Sequence, residues 1–189
     1  MDDRTRKLSV SVCLGLAGLL VAAISPARDA APCAARQGLE LASAAAQAWS
    51  PDAVLVYLEN DEALDPAGAS PRWGYLFYSA VQNRARVWSV RNGHIAVAAN
   101  LDLRFDAPPV SPNWLDSGPA LAAAEQGGGA AFRKESRGKL VSMLLMRGAF
   151  SETDPDVTTW TFVYSAPGAP SLFVVVDASN GKVQRTWRG

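Results

Sequence analysis

The sequence carries one histidine, His94, and two cysteines, Cys13 and Cys33, in 189 residues. That scarcity removes most catalytic and metal-binding chemistry at the outset. A Ser-His-Asp or Cys-His system would have to be built on His94, and no nucleophile signature accompanies it. A zinc site would have one histidine and one cysteine near the mature N-terminus to draw on, too few for the usual ligand sets. An excess of one charge sign is missing too: eighteen Lys and Arg balance eighteen Asp and Glu. Without a basic run there is no electrostatic case for nucleic acid. What the chain does have is 49% hydrophobic residues, fifteen glycines, twelve prolines and six tryptophans. That composition is globular and suits a loop-rich fold containing β-structure.

The N-terminus reads as a targeting segment, set aside before any reasoning about fold. Arg4, Arg6 and Lys7 precede Leu8 to Ile24, which is 17 residues without a charge. That length is short for a comfortable membrane span. Ser25-Pro-Ala27 places small residues where a signal peptidase cuts. Residues 1–27 are therefore expected to be a signal peptide or, if uncleaved, a membrane anchor through residues 8–24. Neither cysteine is preceded by the small-residue box of a lipoprotein. Removal of the leader leaves only Cys33, which cannot form an internal disulfide. Cys33 is expected to be a bystander in a loose new N-terminus, with an intermolecular disulfide as the alternative. A mature chain of about 160 residues can bury roughly two-thirds of its unfolded surface, enough for a core without staples.

Arg36 to Trp49 has apolar residues at Leu39, Ala42, Ala45 or Ala46, and Trp49, a helical spacing of three and four. Pro51 ends it. Ala53 to Glu59 is a short apolar run that predicts a strand. Arg72 to Ala80 alternates, with Trp73, Tyr75, Phe77 and Ser79 on one face and Leu76 and Tyr78 on the other. Ala85 to Arg91 follows as a strand, and Asn92-Gly93 predicts a two-residue type I′ hairpin into His94 to Ala99. A proline-containing connector over residues 100–113 marks a joint. Asp116 or Ser117 can then cap a second helix with Pro119 in its first turn and Leu121 to Gln126 as its body. Gly127-Gly-Gly129 predicts an abrupt stop. Leu140 to Met146 reads as a buried strand, and Trp160 and Ser171 each lead a strand before the Asn180-Gly181 turn.

Both parts of the chain thus have the same grammar. From Trp73 to Gly93 is 20 positions and from Trp160 to Gly181 is 21. The expected architecture is α+β, with two helix-plus-antiparallel-meander pseudo-repeats whose helices pack on curved antiparallel sheet. The halves are residues 28–107 and 108–189, sharing either one sheet or one core between two sheets.

At Asp116-Ser-Gly-Pro-Ala-Leu-Ala-Ala-Ala and at Trp160-Thr-Phe-Val-Tyr with Phe173-Val-Val-Val-Asp-Ala-Ser-Asn-Gly-Lys-Val183, the chain resembles the PepSY-type domain family. The resemblance covers roughly residues 116–187, with a divergent first copy before it. It implies an extracytoplasmic or membrane-attached protein of cystatin-like, helix-on-sheet form. Members of that family are proposed to bind peptides or to restrain proteases.

The candidate residues weigh mostly toward structure. His94 sits beside a hairpin turn, where an exposed histidine is ordinary. Asp177 holds the family's Asp position, and its expected task is to bond local backbone N–H groups, with Ser89 as its first-half counterpart. Glu59, Asp61, Glu62 and Asp65 form a loop cluster expected to be solvated. Glu152, Asp154 and Asp156 lack the glycine and terminal glutamate of a calcium loop. The glycine triplet follows a helix, whereas phosphate-cradling glycines precede one. Trp49, Trp73 and Trp160 fall on core faces, leaving Trp88, Trp114 and Trp187 as candidate binding anchors. The expected function is a non-enzymatic, exported module that engages a protein or peptide of the cell envelope, without metal or cofactor. A small-molecule or lipid carrier with an aromatic-lined pocket is the alternative. An envelope hydrolase using His94 and the loop acids is the third.

Overall fold

A computed structural model describes residues 31–101, 108–149 and 156–189. The leader, with Cys13, and the acids Glu152 and Asp154 lie outside the described residues. The fold is α+β: one antiparallel sheet of eight strands with helices against it. The first helix, α1, spans Leu39–Trp49, and four strands follow: β1 Val54–Asn60, β2 Arg72–Ser79, β3 Arg84–Arg91 and β4 His94–Leu101. Next come α2 Ser117–Ala124 and α3 Ala130–Ser136, then β5 Lys139–Arg147, β6 Thr158–Ala166, β7 Ala169–Asp177 and β8 Val183–Arg188. The spatial order is β4-β3-β2-β1-β5-β6-β7-β8, so a single sheet joins the two meanders through β1 and β5.

Alternation in β2 places Trp73, Tyr75 and Phe77 in the main core, on the side where the helices pack. Leu76 faces the other way, into a smaller cluster with Val56 and Ala85. Trp160, Phe162 and Tyr164 of β6 and Val174 and Val176 of β7 complete the main core. The Trp73 and Trp160 rings meet edge to face at 6.3 Å, an arrangement the ring quadrupoles favour. Trp114 meets Trp160 in the same way at 5.8 Å. Small side chains let the helices sit close to this aromatic layer: Ala42 and Ala46 of α1 and Ala120 and Ala124 of α2 are all fully buried.

The indole N–H groups of Trp73 and Trp160 each find a carbonyl in the segment that leads into a helix. Trp73 Nε1 donates to Cys33 O at 2.8 Å, and Trp160 Nε1 donates to Leu115 O at 2.8 Å. The two leading segments also hold each other. Asp116 caps α2 through Ser117 N at 2.8 Å, and the same oxygen accepts Arg36 N at 3.1 Å. Ser117 Oγ accepts Ala35 N at 3.2 Å. Gly38, at the start of α1, has no capping side chain of its own. The turn before α1 therefore takes its acceptors from the start of α2.

Several expectations change. Cys33 is not a loose bystander: its backbone makes a two-way bridge with Ser70, both bonds at 3.0 Å, and it packs against the core. The glycine triplet does not stop the helix abruptly. It forms a wide kinked turn, Glu125–Gly129, with Gly128 at φ +124°, and helix resumes as α3. The reason is packing. A Cβ on Gly127 would stand 2.8 Å from Val183 Cγ2, and one on Gly129 would overlap the Tyr164 hydroxyl. Asn92 and Gly93 do adopt φ of +53° and +70°, as a type I′ turn requires. Asn180 is absent from the positive-φ residues, so the later Asn-Gly lies in a longer loop closed by Asp177 N to Lys182 O at 2.8 Å.

Three substitutions test this account by urea unfolding. Trp160→Ala should lower stability by about 3–5 kcal/mol, because a large buried ring and its partners lose contact. Gly129→Ala should cost about 1–3 kcal/mol through overpacking against Tyr164. For Asp116→Ala we expect a loss of about 1–2 kcal/mol, since one carboxylate satisfies backbone donors in two segments.

Candidate functional site

The three tryptophans singled out as anchors have different fates. Trp88 is 3% exposed, packed against Trp49 at 5.6 Å and Phe77 at 5.6 Å. Trp114 is 6% exposed beneath the Arg36 guanidinium, which lies 3.8 Å from its ring centre. Neither presents a ring face to solvent, because the first lies on the helix-side face of β3 and the second closes the core between the two helix-leading segments. Trp187 is 39% exposed and stacks flat on Phe173 at 4.9 Å.

The other candidates are dispersed. His94 is exposed at the start of β4. The acids of the first loop are not simply solvated. Asp61 and Glu62 lie 3.5 and 3.7 Å from Arg72 Nε, and Glu62 also lies 3.4 Å from Arg91. Asp61 further accepts the Ser89 hydroxyl, and Glu59 accepts Tyr57 OH at 2.6 Å. Asp65 turns inward on its own loop, accepting Ala67 N and Ala69 N at 2.8 Å. Among the described residues no group of three His, Cys, Asp or Glu is arranged to hold a metal ion.

Asp177 accepts Ser179 N and Ser179 Oγ at 2.8 and 2.7 Å and Asn180 Nδ2 at 3.0 Å, the local turn chemistry its position suggested. Burial by itself would raise its pKa; these hydrogen bonds outweigh that and hold it below the ordinary value. Ser89 is not its counterpart. Trp160 pairs with Val176 and Trp73 with Val90, so the register sets Asp177 against Arg91, and Ser89 bonds Asp61 instead. Cys33 has a thiol pKa pushed up by burial and then by the Asp116 charge, which leaves it a poor nucleophile at neutral pH.

A feature that spacing alone could not reveal lies where the meanders join. β1 and β5 pair over only three positions, Tyr57 with Met146, Leu58 with Leu145 and Glu59 with Leu144. The Asn60 side chain then takes the place of the next backbone pair, its Oδ1 accepting Met143 N at 2.7 Å and its Nδ2 donating to Val141 O at 3.4 Å. Beyond Asn60 the chain leaves the sheet, and the beginning of β5 loses its neighbour on that side. The resulting cleft has a volume of about 500 Å³. Leu64, Pro66 and Ala63 form one wall, and Gly138 to Val141 form the other. Arg133 and Lys139 supply the positive charge of its lining. Arg133 is held by Glu125 at 2.6 Å, and the other Glu125 oxygen accepts Tyr164 OH at 2.8 Å. A second cleft of about 290 Å³ lies between Cys33, Gln37 and the Asn92-Gly93 turn. Neither cleft has an aromatic wall, so neither matches the pocket that a carrier was expected to show.

No family model matches the chain, and no curated protein does. Among solved structures it is similar to a putative lipoprotein from Clostridium difficile 630, with a TM-score of 0.51 and 15% identity over 76% of this chain and 87% of that one. A likeness at that identity establishes a shared fold and nothing of activity. No helix among the described residues is long and apolar enough to cross a membrane.

The hydrogen bonds of one carboxylate predict a loss of stability in acid. Asp52 accepts Ser50 Oγ at 2.6 Å, Val81 N at 2.9 Å and Ser79 Oγ at 2.7 Å, tying the end of α1 to the end of β2. The Ser50 hydroxyl first, then the Val81 N–H and the Ser79 hydroxyl, bring its pKa down to about 2. Since the folded value lies below the unfolded value of about 3.9, its contribution is present above that pH and fades as pH falls through the folded value. Urea midpoints of the wild type and Asp52→Asn should differ at pH 7 and converge near pH 2.

Proposed function

We propose that this chain is an exported, non-enzymatic binding module of PepSY-like α+β form that engages a protein or peptide in the cell envelope. The observation that carries the reading is the interrupted strand edge at the start of β5. Backbone groups without a neighbouring strand, set beside apolar side chains in a concave site, suit a polypeptide better than a small metabolite. The apolar leader with its small-residue cleavage site supports export.

Duplication of one helix-plus-meander unit supports the PepSY-like part of the reading. Each half runs from helix into four antiparallel strands, and Trp73 and Trp160 each lock the segment that leads into their own helix. Trp73 and Trp160 each pair with a valine of the following strand, Val90 and Val176. On this reading the half spanning residues 108–189 is the closer copy and the half spanning 28–107 the divergent one.

Cross-linking with an amine-reactive reagent in intact cells, followed by mass spectrometry of the captured adducts, tests the proposal. The expected result is a discrete adduct with another envelope polypeptide. Recovery of the folded protein solely as monomer would sink it.

A further inference from the structure

We infer that the cleft between β5 and the loop after β1 is a seat for an extended peptide, which adds as a short antiparallel strand to the free edge of β5 and sets its C-terminal carboxylate beside Lys139 and Arg133. The inference rests on the partner-binding reading above and specifies its site and the chemistry of the ligand.

Three observations converge on it. The first is the edge itself. β5 begins at Lys139, yet its pairing with β1 begins only at Leu144, and the Asn60 amide occupies Met143 N and Val141 O. Lys139 and Leu140 therefore pair with β6 on one side and face the cleft on the other, while Val141 sits at a bulge with its carbonyl held by Asn60. An unpaired strand edge in the middle of a sheet is a template for strand addition, whereas the outer edges of this sheet are the strands β4 and β8.

The second is the length and shape of the opening. Two strand residues, Lys139 and Leu140, span about 7 Å, so the edge accommodates the last one or two residues of a chain and not a long strand. Asn60 closes one end. Antiparallel addition, the sense of every strand pair in the sheet, then directs the C-terminus of the added strand toward the Lys139 end. Leu64 and Leu140 pack on the core beneath the cleft and offer an apolar floor for a side chain of the guest.

The third is charge. Lys139 is exposed, with no ion-pair partner among the described residues. Arg133 is held in place by Glu125 at the side of the same cleft. The one carboxylate in the lining, Asp65, is already committed to two N–H groups of its own loop. Arg133 is already paired with Glu125, so the exposed Lys139 ammonium is the charge that draws an anion. The end of a peptide chain carries one at its carboxylate, with the Arg133 guanidinium alongside.

The test uses the immobilised full chain and random pentapeptide libraries. One library has free C-termini, a second is C-terminally amidated, and a third is free but N-methylated along its backbone. The expected result is retention of the first library, with at least fivefold less of the second and third. Lys139→Glu should reduce retention of the first library at least tenfold, and Lys139→Gln should fall between, with urea midpoints unchanged because the side chain is exposed. Absence of retention would overturn the inference, and this is the outcome if the chain's own residues fill the cleft. Equal retention of all three libraries, or indifference to both Lys139 variants, would overturn it as well. A cross-linked envelope partner that survives Lys139→Glu, with no library retained, would remove the cleft while leaving the partner reading intact. Absence of any cross-linked partner alongside selective retention would do the reverse.

Discussion

The structure depends on the contact between Trp73 and Trp160. These rings come from the second strand of each meander and meet at 6.3 Å under the centre of the sheet. An indole buried in that position must satisfy its N–H, since leaving it unpaired in the core would cost about 1–3 kcal/mol. Each does so by reaching a main-chain carbonyl just upstream of a helix, Cys33 O for one and Leu115 O for the other. The core contact thereby fixes where both helices begin. Asp116 and Ser117 then join the two leading segments, so the helices are placed relative to each other as well as to the sheet. The same arrangement explains why Cys33 is ordered and why Trp114 is buried.

The sheet pays for this central layer at its seam. The tryptophan pair draws β2 and β6 toward one another, with β1 and β5 between them, yet the two middle strands share only three residue pairs. Asn60 substitutes a side-chain amide for the backbone that has turned away. An asymmetry results: β5 keeps its full length while β1 ends early, and the surplus edge lines a cleft. A strictly regular eight-stranded sheet would have had no such opening.

Much of the framework was legible in the sequence because it follows from local chemistry. Alternation in Arg72 to Ala80 correctly set Trp73, Tyr75 and Phe77 apart from Leu76. Asn92-Gly93 gave a type I′ turn because both residues tolerate positive φ there. Asp116 capped α2. The failures were of another kind. A glycine triplet after a helix predicts a stop, because glycine often ends one, but here it bends the helix so that the backbone can pass over Val183 and Tyr164. The likeness of the two Asn-Gly turns hid a difference in loop length, which put Ser89 in the wrong correspondence with Asp177. Trp88 and Trp114 offered no periodic signal that would separate an exposed ring from a buried one, and their burial depends on the helices that cover them.

The sequence by itself determined the α+β composition, the strand faces, the first hairpin and the scarcity of groups able to do covalent or metal chemistry. Those properties depend on residues within a few positions of each other, where φ/ψ preference and side-chain alternation dominate. Only the tertiary structure decided that the meanders share one sheet, that Arg72 and Arg91 hold the acids of the first loop, and that β5 begins with an open edge. These features bring together residues from ten to more than eighty positions apart. Their proximity is set by how the aromatic layer closes, and no local pattern records that.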